Sequence, residues 1–212
     1  DIRRMLLRAK ALIDSSRMLS AWTALAIDKS VKDPDEKVRK ANNDLVELMT
    51  PIIKSILTDY GVEISSEMLQ IFGGHGYIRE YGMEQFYRDA RIAPIWEGTN
   101  GIQAMDLAGR KMPQGMGRLL RRFFHPALAF IEDNRSDENL KEFVIPFEKA
   151  LKGLQKTSMF MAQTGLSNPY EIGAAASDYM KQFGLVSMGY MWLLMLKTAF
   201  SQQYDEDFYK NK

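Results

Sequence analysis

Apolar side chains recur along this chain at steps of three and four, the spacing that places them on one face of a helix. Val38, Ala41, Leu45, Leu48, Ile52 and Ile56 form one such series. Val144, Phe147, Leu151, Leu154 and Met161 form a second, and Ile172, Ala176, Met180, Phe183, Val186, Tyr190 and Leu193 a third. Nearer the start, Met5, Leu12, Leu19 and Ala26 repeat at sevens beside a second face of small residues. No stretch alternates at period two with the β-branched enrichment of a strand. The pattern predicts an all-α protein.

Turn chemistry predicts where these helices break. Asp33-Pro34-Asp35 separates the first two, with Pro34 at a helix start and Asp33 or Asp35 as cap. Gly61, after Tyr60, suits the left-handed position that ends a helix. Pro51 removes one hydrogen bond inside the second helix and is expected to kink it near Met49. Met112-Pro113-Gln114-Gly115-Met116-Gly117 reads as a linker between a front part and three rear helices. Further breaks are expected at Asp133-Asn134-Arg135 and Ser167-Asn168-Pro169.

Composition narrows the class. With 46% apolar, 26% charged and 11% aromatic residues, the 212-residue chain has the profile of a globular protein with a sizeable core. Twenty-eight basic and 27 acidic side chains leave +1, so no net field draws the whole chain to nucleic acid or membrane. The absence of cysteine excludes disulfides, thiolate metal sites and a cysteine nucleophile, and fits a cytoplasmic setting. Phe183 to Leu196 is the most apolar stretch, but its 14 residues fall short of the roughly 20 a spanning helix needs, so it reads as a buried core helix. The start at Asp1 suggests an excised piece of a longer protein.

One region stands apart. Seven of the 15 glycines lie between Gly73 and Gly109. Glycine is unfavourable inside helices, so the cluster implies either tight turns or close approach of backbone to a ligand. Three elements follow in order: Gln70-Ile71-Phe72-Gly73-Gly74-His75-Gly76-Tyr77, then Arg88-Asp89-Ala90-Arg91-Ile92, then Ile95-Trp96-Glu97-Gly98-Thr99-Asn100-Gly101-Ile102-Gln103. Together they resemble the carboxy-terminal helical domain of the acyl-CoA dehydrogenase family. The continuation Ala104 to Lys111 and the further helical residues are similar to an enlarged branch, which includes 3-methylmercaptopropionyl-CoA dehydrogenase-like enzymes.

The resemblance implies an up-and-down helical bundle over residues 1–112, followed by a second small helical domain over 113–212. It also implies roles. Glu97 matches the family's base, which removes the α-proton of an acyl-CoA thioester while the β-hydrogen leaves as hydride to FAD. An ordinary carboxylate, with pKa about 4.3, is too weak for this; desolvation in an apolar pocket raises its basicity. Trp96 and Gly98 match substrate-side positions, with Trp96 as a wall. Gln70, Gly73, Gly74 and Thr99 match positions that touch FAD, and glycines there let backbone approach a pyrophosphate. Relatives carry Gln two residues after the Thr where this chain has Gly101, so Asn100 and Gly101 are not carried over.

Each assignment has a plainer alternative. Glu97 could be a helix N-terminal acid favoured by the macrodipole. Gly73 and Gly74 could be a helix C-terminus. Arg88, Asp89 and Arg91 read as a structural ion-pair cluster, and His75 as a turn residue; a lone His is weak support for a metal, and none is assigned. The family's amino-terminal and middle domains do not appear in these residues, so the chain alone is expected to retain no FAD and to show no turnover. The implied partners are an acyl-CoA substrate, electron-transfer flavoprotein as acceptor, and copies of itself in a homodimer or homotetramer.

Two other classes compete. A non-catalytic helical oligomerisation module would use the same bundle. Arg118, Arg121 and Arg122, close after Arg110 and Lys111, raise nucleic-acid association, as in a DNA-associated relative. Nearby Glu132, Asp133, Asp137 and Glu138 offset that patch, and no aromatic stacking platform accompanies it.

Overall fold

The computed structural model describes residues 1–201, apart from the side chain of Leu166; the last eleven positions of the rear segment, 202–212, lie outside the described residues. Among the described residues seven α-helices run in order: α1 Ile2–Lys32, α2 Glu36–Ile71, α3 Met83–Ile92, α4 Asn100–Met105, α5 Arg118–Asn134, α6 Lys141–Ser167 and α7 Pro169–Ser201. Short 3₁₀ turns fill Gly73–Tyr77 and Arg79–Tyr81, and a π-helical turn, Asp106–Lys111, prolongs α4. Among the described residues there is no strand.

α1 and α2 pack along one another as the long pair of the front part. The sevens of α1 are the seam: Met5, Leu19 and Ala26 are buried, and Leu12 packs on the core. Pro34 forces Asp33 into extended backbone, which ends α1. Asp35 then caps α2, its carboxylate accepting from Lys37 N–H at 2.8 Å. Pro34 therefore precedes the cap instead of opening the helix.

Gly61 does not end α2, which continues ten residues further through both Pro51 and Gly61. A mid-helix glycine costs about 1 kcal/mol. Here α1 lies alongside, and Arg8 ties itself to Glu63 and Glu67 beyond the glycine, so tertiary contact carries the helix across. The helix stops at Ile71, and Gly73, at φ +60°, takes the left-handed role.

α7 is the axis of the core. By length and composition its 33 residues would suffice to cross a membrane, although the most apolar stretch within them is only Phe183 to Leu196. It packs against α1, α2, α4 and α6. Tyr190 meets Trp22 of α1, Phe123 and Phe130 of α5, and Phe147 of α6, with ring centroids 5.9–6.2 Å apart. One buried cluster thus runs from Leu19 to Leu193, across the connection at residues 112–117.

The basic group at the start of α5 is largely occupied internally. Asp44 of α2, 2% exposed, receives Arg118 Nη2 at 3.1 Å and Arg122 Nη2 at 3.2 Å. Arg121 Nη1 donates to the Met116 carbonyl at 2.8 Å. Both Asp44 partners keep water on one side, so these bonds contribute about 1.5–3 kcal/mol, towards the lower end.

Burial also makes the fold sensitive to alkali. Tyr179, enclosed against α6, has its pKa pushed by desolvation up to about 12, although its hydroxyl lies 2.7 Å from Ser158 Oγ. Burial raises Tyr190 as well. Below pH 10 folded and unfolded chains both keep the Tyr179 proton; between pH 10 and about 12 only the unfolded chain loses it, so stability falls as pH rises. Urea midpoints at pH 8 and pH 11.5 should therefore differ by about 2 kcal/mol of stability from Tyr179. The Tyr179→Phe variant should lose that part of the slope, and an unchanged slope would refute the assignment.

Candidate functional site

The segment between α3 and α4 is built as a closed turn. Trp96 N–H reaches back to Ile92 O at 3.1 Å, and Asn100 N–H closes on Pro94 O at 3.0 Å. Between them Glu97 and Gly98 take successive positive φ values, +53° and +88°. Glycine suits position 98 because L side chains rarely adopt a φ of +88°; the neighbouring Gln103 Nε2, 2.6 Å from where a Cβ would stand, is the movable end of a side chain. Glu97 is different: among the described residues, only it and Met116 combine a side chain with left-handed backbone. Such backbone costs about 1 kcal/mol or more and concentrates at functional sites.

Thr99, not Glu97, caps α4, its Oγ1 accepting from Ile102 N–H at 3.4 Å. Among the described residues the Glu97 carboxylate has no hydrogen-bond or ion-pair partner, so a helix-capping acid does not account for it. It is exposed, and Trp96 beside it is 61% exposed, so this chain alone supplies no enclosed wall. Eleven of the exposed large apolar side chains lie between Phe72 and Met105, among them Tyr77, Phe86, Ile95 and Ile102. Exposed apolar side chains are thus concentrated in the segment that carries the turn.

Asn100 turns inward. Its Oδ1 accepts from Lys54 Nζ at 2.8 Å, and its Nδ2 donates to Asp59 Oδ1 at 2.7 Å. Ser55 O at 3.1 Å and Thr58 Oγ1 at 3.0 Å complete the ring. The motif assigns Asn100 no role, and the structure gives it this one. The available signal was a poor helix former at the first position of a helix whose cap was already filled.

Around Gly73–Tyr77 the glycines separate by function. At Gly76 a Cβ would meet Leu69 O at 2.4 Å, so the backbone packing itself demands glycine. Gly73 is favoured by its left-handed φ of +60°. Gly74 has neither a positive φ nor any neighbour within 4 Å of a Cβ position, so nothing within this chain explains it. Gln70 is exposed on the last turn of α2. Open backbone beside an exposed amide fits the approach of a phosphate-bearing group. His75 is a turn residue with its ring 4.9 Å from Tyr81.

The expected Arg88–Asp89–Arg91 cluster does not form. Neighbours in a helix do not face each other. Arg88 pairs with Glu84 at 3.1 Å, Asp89 accepts from Gln85 at 2.6 Å, and Arg91 lines a cleft with Asp59, Glu63 and Glu67. Among the described residues no group of three potential ligands is arranged for a metal.

Comparison with known proteins gives this turn its context. Residues 1–112 match the family described as acyl-CoA dehydrogenase, C-terminal domain. The chain belongs to the acyl-CoA dehydrogenase family. Residues 123–212 match a second family, acetyl-CoA dehydrogenase C-terminal like. A 3-methylmercaptopropionyl-CoA dehydrogenase of Ruegeria pomeroyi is 46% identical over 123 residues, 58% of this chain and 21% of the relative. The broad-specificity linear acyl-CoA dehydrogenase FadE5 of Mycobacterium tuberculosis is 29% identical over 94% of this chain and 33% of its own length. The chain thus spans about a fifth to a third of these curated relatives. Among solved structures, ACDH-11 of Caenorhabditis elegans, determined in complex with C11-CoA, superposes with a TM-score of 0.76 at 24% identity, over 90% of this chain and 31% of that one. That likeness supports the acyl-CoA dehydrogenase fold.

Proposed function

We propose that this chain is the carboxy-terminal part of a flavin-dependent acyl-CoA dehydrogenase, with Glu97 as the base that takes the α-proton of the thioester. The observation that carries the reading is the carboxylate itself: unpaired, presented on strained backbone, and relieved of capping duty by Thr99. The bond from the α-carbon to hydrogen breaks, and its proton passes to a Glu97 oxygen. Hydrogen bonds to the thioester carbonyl, one from the Glu97 backbone N–H, stabilise the developing enolate. Bound FAD supplies the acceptor for the β-hydride.

Gln70, Gly73, Gly74 and Thr99 are the residues that would hold FAD. Trp96 and Gly98 border the acyl group. The exposed apolar side chains between Phe72 and Met105 then receive the parts of the enzyme that enclose the substrate and exclude water around Glu97. Electron-transfer flavoprotein is the proposed acceptor downstream. Residues 1–112 and 113–212 are proposed as two units sharing one core. Self-association is compatible with catalysis, and exposed Leu6, Leu7, Leu25 and Val31 on α1 support it. Nucleic-acid association is disfavoured, since Arg118 and Arg122 are engaged with Asp44.

Anaerobic titration tests the reading. The full-length protein should purify yellow, and an acyl-CoA should bleach its flavin band; the 212-residue chain should purify colourless and inert. A full-length protein that binds flavin but is bleached by no acyl-CoA of any chain length would refute the proposal.

A further inference from the structure

We infer that Asn100 is a positioning residue, which sets the place of the Glu97 carboxylate by locking its turn onto α2. The inference rests on the reading of Glu97 as the base. Its starting point is that a single side-chain amide is held at both ends by opposite charges: Lys54 at its oxygen and Asp59 at its nitrogen. Charge-assisted bonds of this kind are about twice as strong as neutral ones. The shared hydroxyl of Thr58 has one proton, which goes to Lys54 O at 2.7 Å, so towards Asn100 it acts as acceptor. The amide therefore uses both its protons and its oxygen on α2.

The backbone of the same residue holds the other side of the turn. Asn100 N–H closes on Pro94 O at 3.0 Å, three residues past the carboxylate and six past that carbonyl. α4 and the π-helical turn that prolongs it span only residues 100–111, a length that is marginal without tertiary contacts. Glu97, with no partner of its own among the described residues, inherits its position from this anchor. A reacting carboxylate displaced by about 1 Å loses about 10²-fold in rate.

The polarity of the ring makes the test specific. Asn100→Asp removes both donors and sets a carboxylate against Asp59. In the full-length enzyme it should lower kcat about 10²-fold with KM for acyl-CoA little changed. Flavin content should be kept, and the isotope effect with α-deuterated substrate should increase. Amides of residues 95–100 should exchange faster with solvent. Asn100→Asp/Asp59→Asn restores one donor facing one acceptor and should recover most of kcat. Asp44→Asn, distant from the turn, should lower Tm without moving the isotope effect, separating positioning from general destabilisation. If Asn100→Asp folds poorly, Asp59→Asn alone should show the same kcat loss in milder form.

Wild-type kcat and isotope effect in both single variants, with Glu97→Gln inert, would overturn the inference and leave the base assignment standing. An active Glu97→Gln would overturn both.

Discussion

Glu97→Gln in the full-length enzyme should lower turnover by about 10²–10⁴-fold, the range a positioned general base contributes. The substitution is nearly isosteric and keeps a side chain at φ +53°, so the turn and its bond from Asn100 N–H to Pro94 O should survive. Flavin content and Tm should stay near wild type, and KM should change little, because the missing interaction is made only as the proton moves. Glu97→Asp retains a carboxylate but withdraws it by one methylene, and should fall between the two. Steady-state kinetics with the flavin content of each variant measured alongside decide the matter. Wild-type turnover in Glu97→Gln would remove Glu97 from the chemistry.

The second large effect lies in the core, where rear and front helices meet. Gly184 of α7 faces Ile56 of α2 so closely that a Cβ would stand 2.2 Å from Ile56 Cγ1. Gly184→Ala should destabilise by about 1–3 kcal/mol through overpacking. Ile56→Ala should destabilise by about 2–5 kcal/mol through the cavity it leaves. The pair should not add: the methyl at 184 enters the space vacated at 56, so the double variant should be more stable than the sum by about 1–3 kcal/mol. Urea unfolding of the four proteins measures this coupling. Additivity within about 0.5 kcal/mol would show that α2 and α7 do not share that space.

Local pattern made the helices legible. Leu48, Ile52, Val144, Leu151, Phe183 and Leu193 stand on predicted faces, and all are buried. Tertiary contact decided what local pattern could not. Gly61 carries a stop signal, but nothing near it in sequence reveals that α1 and Arg8 hold the helix through it. Arg118 and Arg122 read as a surface patch because Asp44, their partner, lies more than 70 residues earlier. The turn at Glu97 was legible from its motif, which says which residues matter but not how they are held. The anchor of Asn100 is not legible locally because its partners, Lys54 to Asp59, sit on another helix over 40 residues away.

The left-handed backbone at Glu97 carries one more consequence. Glycine adopts φ +53° without a Cβ penalty, so the most comfortable residue for this turn is not the one that stands there. Selection for stability alone would drift position 97 towards glycine and erase the carboxylate. A library of variants sorted for thermal resistance and another sorted for catalysis should therefore part company at this single position, as a stability–activity trade-off requires.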